Sequence, residues 1–165
     1  MNELGHIETG NTPPTQVGEY YTDSANGLLW VTPSDIEGGI LISTNKRLSP
    51  LGESVGRVIP ANSILCTCIA SIGKNAFLPV KCAFNQQINA ITPFFERHHP
   101  YFLYTNSYHW SQAMKKEAGG LTFQIVNKTE FSNIETRVPK TKEEETAIGD
   151  FFRRLDNLIT LHQCK

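Results

Sequence analysis

The last 25 residues constrain this chain more than any other stretch. Thr141-Lys142-Glu143-Glu144 is a capping box, in which the Thr141 oxygen accepts the Glu144 N–H and the Glu144 carboxylate reaches back. Glu143, Glu144 and Glu145 suit the positive end of a helix dipole. Ile148, Phe151, Phe152, Leu155, Leu158, Ile159 and His162 then recur at i, i+3, i+4, i+7 spacing, with Asp150, Arg153, Arg154 and Asn157 opposite. The spacing predicts a helix from about 141 to 165, roughly 37 Å long. Such a stripe is covered either by the helix's own domain or by another helix. Two and a half heptads do not by themselves define a coiled coil.

The rest of the chain reads as short strands between turns. Leu28–Val31 is a buried strand stopped by Thr32-Pro33, and Pro33-Ser34-Asp35 is a polar turn. Ile40–Ser43 is a further apolar run, and Thr44–Gly56 is polar. Ser63–Ala70 is the clearest strand, being apolar, partly β-branched and bounded by turn residues. Ser71–Lys74 turns it, and Ala76–Val80 pairs back as a hairpin. Ile88–Ile91, Leu121–Ile125 and Ile134–Pro139 are further strand candidates. Residues 100–118 read as a helix, with Pro100 in first position and Gly119-Gly120 as its stop. The fold class expected is α+β: a mostly β domain at 1–140 with one or two packed helices, then a terminal helix at 141–165.

Charge is uneven along the chain. Residues 1–43 hold six acids and no Lys or Arg, whereas residues 44–128 hold nine bases against three acids. The middle can therefore present a basic face to a phosphate backbone, the plainer alternative being solvated charges scattered over loop tips. Four cysteines (66, 68, 82, 164) lack zinc-type spacing and read as small buried hydrophobes, so no metal and no catalytic residue is expected. No apolar run approaches the roughly 18–20 residues of a membrane span, and the first residues carry no signal-peptide pattern. The expected location is cytoplasmic, away from membranes.

Six segments, in order, resemble one family. They are Thr9–Pro14; Trp30–Ile36; Pro60–Lys74, ending in Ser-Ile-Gly-Lys; Asn85–Ile91, opening Asn-Gln-Gln; Gly119–Thr122; and Val138–Lys140, running into Glu144–Ile159. Together they resemble a target recognition domain of a type I restriction–modification specificity (S) subunit. Each motif alone is weak.

The resemblance implies a non-catalytic reader of double-stranded DNA. A full S subunit resembles two such domains joined by long antiparallel helices, with methyltransferase subunits packed on it and restriction subunits added. S-adenosylmethionine, ATP and Mg would belong to those partners, and none to this chain. DNA contacts are expected from Lys46, Arg47, Lys74, Lys115 and Lys116 on phosphates, and from Ser34, Asp35, Asn85, Gln86 and Thr122 on bases. For Asn85 the plainer role is to fix turn geometry. Target specificity is expected in loops 16–26, 44–57 and 94–99. Ile148, Phe151, Phe152, Leu155, Leu158 and Ile159 are expected to meet a partner helix, including a second copy in a homodimer. The rival expectation is an S fragment that modulates assembly and binds DNA with little sequence preference.

Overall fold

The computed structural model describes residues 1–118 and 125–163. Two sheets carry the fold. The first has strand order β1-β9-β6-β7 and is antiparallel throughout: β1 is Gly5–Thr9, β6 Ser63–Thr67, β7 Asn75–Leu78 and β9 Ile88–Pro93. The second has order β2-β4-β3-β8-β5: β2 is Tyr21–Thr22, β3 Leu28–Val31, β4 Lys46–Leu48, β5 Val58–Ile59 and β8 Cys82–Phe84. Its β3–β8 pair is parallel and its other pairs are antiparallel. Four helices complete the α+β fold among the described residues: α1 Pro50–Val55, α2 Pro100–Ala118, α3 Lys128–Asn133 and α4 Lys142–Gln163.

The layers explain the sequence pattern. One face of the first sheet supplies Ile64, Cys66, Phe77 and Ile91 to a core shared with Leu103, Trp110 and Met114 of α2 and Phe131 of α3. Its other face supplies Leu65, Ala76, Leu78 and Ala90 to a core shared with Val31, Ile59 and Phe84 of the second sheet. Every residue of β6 is therefore buried, which is why it reads as a continuous apolar run without alternation. Cys66 and Cys68 both face the helix-side core, and Cys82 lies between the sheets. The hydrogen bond with Cys68, together with burial, pushes the Cys66 thiol up, and burial pushes the Cys82 thiol up to about 12, so both are held as neutral SH groups.

The structure overturns one expected strand and adds detail at two further segments. Ile134–Pro139 is not a strand; Asn106 of α2 donates to Thr136 Oγ1 (3.0 Å) and to the Arg137 carbonyl (3.1 Å), satisfying the segment without a strand partner. The residues before it form α3, capped by a reciprocal Asn127–Glu130 box. Ile40–Ser43 makes a single parallel bridge to the β7 edge, with Leu41 buried and Ile40 and Ile42 exposed. Gly119–Gln124 lie outside the described residues, so the predicted helix stop, most of the 121–125 strand and Thr122 fall there. No helix among the described residues is long and apolar enough to cross a membrane.

Candidate nucleic-acid interface

The registers bring scattered residues to one end of both sheets. β3 and β8 run parallel, with Val31 opposite Phe84, so their C-terminal ends lie side by side. β4 runs against β3, with Lys46 opposite Trp30, and so begins at that same end. In the first sheet Thr67 pairs with Ile88 and Cys68 N–H donates to the Gln87 carbonyl at 2.9 Å. The β6–β7 turn therefore abuts the β8–β9 turn. Ser34, Asp35, Lys46, Lys74, Asn85 and Gln86, spread over 53 positions of sequence, share one surface.

Side-chain hydrogen bonds lock the turns of this surface. Asp35 Oδ2 accepts the Thr32 N–H (2.8 Å) and hydroxyl (2.7 Å), while Oδ1 accepts the Asn45 backbone N–H (2.9 Å) and side-chain amide (2.8 Å). Asp35 thus staples the end of β3 to the start of β4 and has its acceptors committed inside the protein. Asn85 is buried, accepts the Gln87 N–H at 2.9 Å and donates to Gln87 Oε1 at 3.2 Å. Its geometry is that of an Asx turn. Gln86, one residue on, is exposed and accepts from the Thr12 hydroxyl. Ser34 is exposed, with its Oγ 2.8 Å from Thr32 Oγ1.

The β6–β7 turn is held by Thr67. Its carbonyl accepts the Gly73 N–H (2.9 Å), its hydroxyl accepts the Lys74 N–H (3.0 Å), and it also donates to the Ser71 carbonyl. Gly73 has φ +79°, and a Cβ there would sit 3.1 Å from Lys115 Cε and from Ser111 Cβ. The stem of Lys115 therefore lies over the turn that presents Lys74, and Lys116 follows it on the last turn of α2. Lys74, Lys115 and Lys116 are exposed.

Two expected sites fall elsewhere. Arg47 points back along β4, donating to the Gly27 carbonyl at 2.9 Å near the start of β3. The 94–99 loop follows Pro93, which pairs with Gly5 at the opposite end of the first sheet. Sequence reasoning did not single out Asn11 and Thr12 at the polar end, and reached Asn45 and Arg57 only as members of the 44–57 loop. The Gly-Asn pair in the Thr9–Pro14 loop was the available signal for Asn11 and Thr12.

That loop-bearing 94–99 end anchors α4. Glu145 is 1% exposed; Oε1 lies 2.9 Å from His98 Nδ1 and Oε2 accepts the His99 N–H at 2.8 Å. Lys142 Nζ donates to the Phe95 carbonyl at 2.6 Å, and Tyr101 OH donates to Asp156 Oδ2 at 2.7 Å. The Thr141 hydroxyl accepts the Glu144 N–H at 3.3 Å, the first half of the capping box. Ile148 packs on the helix-side core. Phe151, Leu158 and Ile159 are 58%, 54% and 55% exposed, and Phe152 and Leu155 are exposed too. The apolar stripe therefore divides: its first turn meets the domain, and the remainder faces outward.

Fold and site together define a recognition module, with donors, acceptors and lysines on rigid turns at one end and a projecting apolar helix anchored at the other. The type I restriction modification DNA specificity domain model matches residues 1–165. The chain belongs to that family. It is 29% identical over 169 residues to the type I restriction enzyme HindI specificity subunit of Haemophilus influenzae, covering 96% of this chain and 36% of that one. Among solved structures, a chain from a study of complex assembly and conformational transition of the type I R-M system superposes with TM-score 0.69 at 18% identity, over 97% of this chain and 38% of that one. The HsdS subunit of Thermoanaerobacter tengcongensis gives 0.66 at 16%, over 96% and 36%. The S subunit from M. genitalium gives 0.64 at 16%, over 99% and 40%. At such identities the structures speak for the fold. The chain spans 36% of the length of the curated relative it matches.

Proposed function

We propose that this chain reads one half of a split double-stranded DNA target within a cytoplasmic type I restriction–modification assembly. It is itself non-catalytic, and directs adenine methylation and restriction by methyltransferase and restriction subunits. S-adenosylmethionine, ATP and Mg are handled by those partners. The observation that carries this reading is the convergence of Ser34, Lys46, Lys74 and Gln86 on one end surface, in a chain matched by the family along its whole length. Lysines there suit phosphates, and the exposed Ser34 hydroxyl and Gln86 amide suit base edges. Asp35 and Asn85 serve as staples that hold those groups in place.

The outward stripe of α4 supports pairing with a second copy through Phe151, Phe152, Leu155, Leu158 and Ile159, giving a two-domain layout. The same stripe also supports the rival reading, an S fragment that binds methyltransferase or S subunits and modulates assembly. Co-expression with a type I methyltransferase subunit, followed by single-molecule sequencing for methylated adenine, separates them. A symmetric split motif is expected. Absence of new methylation would favour the assembly modulator. Leu158→Glu is expected to convert a dimer to a monomer in light scattering; a wild-type monomer at high concentration would remove the homodimer.

A further inference from the structure

Arg57 and Glu8 form a charged pair that the function above leaves unused. Arg57 immediately precedes β5, which runs antiparallel to β8 with Val58 opposite Ala83. It therefore stands at the polar sheet end, beside Asn85 and Gln86. Its backbone is fixed there by one side chain: Asn11 Oδ1 accepts the Arg57 N–H at 2.5 Å, and Asn11 Nδ2 donates to the Val55 carbonyl at 2.8 Å. Asn11 is in turn tied to β8, its N–H donating to the Phe84 carbonyl at 2.9 Å. Gly10 makes this approach feasible, since a Cβ there would lie 2.2 Å from the Phe84 oxygen and 2.3 Å from the Asn85 oxygen. The same loop supplies the Thr12 hydroxyl to Gln86. The base of Arg57 is thus locked into the turn network that presents Gln86.

Its guanidinium is held far more loosely. The side chain is 54% exposed and meets Glu8 Oε1 through one long contact of 3.4 Å. An exposed single contact of that length is readily exchanged. A phosphate oxygen pair offers the guanidinium two parallel charge-assisted bonds instead.

We infer that Arg57 is a phosphate contact of the DNA-binding end and that Glu8 competes with DNA for it. The inference rests on the reading that this end meets DNA. Glu8 acts on binding by occupying Arg57 and by repelling phosphates. It therefore weakens sequence-independent binding, and Arg57 strengthens it.

The test uses the full chain and a random-sequence duplex, with fluorescence anisotropy over a salt series. Wild type is expected to lose affinity linearly in log–log form as salt rises. Arg57→Gln is expected to weaken binding about eightfold at 0.1 M salt and to reduce the slope by about 0.9, the loss of one phosphate contact. Glu8→Gln is expected to tighten binding, and to tighten it less in the Arg57→Gln background, where only the repulsion is relieved. Unchanged urea midpoints establish that the fold is intact. If Lys46→Gln and Lys74→Gln lose affinity while Arg57→Gln keeps both affinity and slope, the inference fails alone. A Glu8→Gln variant that binds more weakly also overturns it. If the wild-type chain shows no salt-dependent binding, the DNA-binding end falls and the inference falls with it.

Discussion

Glu145 carries the attachment of α4. Its carboxylate is 1% exposed and makes two close contacts, at 2.9 Å to the His98 ring and 2.8 Å to the His99 N–H. A buried hydrogen bond to a charged group contributes about 1.5–3 kcal/mol, and a donor left without its acceptor costs its full desolvation. Glu145→Ala removes both acceptors at once and leaves the His99 N–H and the His98 ring facing a void. The expected loss is about 3–5 kcal/mol. In a chain of this size each kcal/mol lowers Tm by about 2–4 °C, so a fall of roughly 6–20 °C is expected. Glu145→Gln keeps the shape and one carbonyl acceptor, and should lose about half as much. Urea unfolding with linear extrapolation, supported by calorimetry, measures both. Stability within about 0.5 kcal/mol of wild type for Glu145→Ala would mean that the buried carboxylate does not anchor the helix, and the account of the junction would be wrong.

Other consequences of the same geometry are open to measurement. Burial holds the His99 imidazole below its ordinary 6.5, and its Nδ1 accepts the Phe102 N–H at 3.3 Å, a bond protonation would cost. The unfolded chain then binds the proton more readily, so stability is full above pH 6.5 and falls as the pH drops through 6.5 towards the folded value. Wild type should lose urea midpoint more steeply than His99→Gln between neutral and mildly acidic pH; parallel profiles would refute this. Gly149→Ala would ordinarily add about 1 kcal/mol to a mid-helix position. Here the new Cβ would lie 2.3 Å from His99 Nδ1 and 2.8 Å from the Phe102 nitrogen, so a net loss of about 1–2 kcal/mol is expected, and a raised Tm would contradict the contact. With Cys164→Ser as background, a thiol reagent at mildly alkaline pH should modify Cys66, Cys68 and Cys82 only on unfolding. Prompt labelling of native Cys82 would contradict its burial and its raised thiol value.

The elements legible in the sequence are those whose pattern is local. Residues 100–118 announced α2 through Pro100 and an apolar face, and Leu103, Trp110 and Met114 are indeed buried along it. Ser63–Thr67 was legible because both its faces are covered. The second sheet was not, beyond β3. β2, β5 and β8 have only two or three residues each, and their identity as strands depends on partners far away in sequence. Ile134–Pro139 misled because Ile134 and Val138 pack against the helix-side core without a strand partner, a contact that resembles strand alternation. At the polar end, residue type pointed to Asp35 and Asn85 as base readers because both carry the right groups. Whether those groups are free is decided by Asn45 and Gln87, and in both cases they are spent within the protein. Arg57 was reached only as the last residue of the 44–57 loop: nothing local singles it out, and only the β5–β8 register brings it to Gln86.

The two ends of the module are kept apart by α2. Its first turn meets α4 through Tyr101 and Phe102, and its last turn lays Lys115 against the β6–β7 turn. Lys115 lies thirteen helical residues on from Phe102, about 20 Å along the axis. A rigid strut of that length lets the turns at the polar end change without disturbing the anchoring of α4, because Glu145, Lys142 and Gly149 touch only the 95–102 segment among the contacts that fix them. Substitutions at the two ends should therefore be independent within about 0.5 kcal/mol in a double-mutant cycle of stability. Glu145→Ala combined with Thr67→Val tests this. Thr67→Val keeps the shape of the side chain and deletes the hydroxyl that accepts the Lys74 N–H. A coupling above about 1 kcal/mol would show that α2 transmits strain between the ends, and that the polar end and α4 are not separable parts.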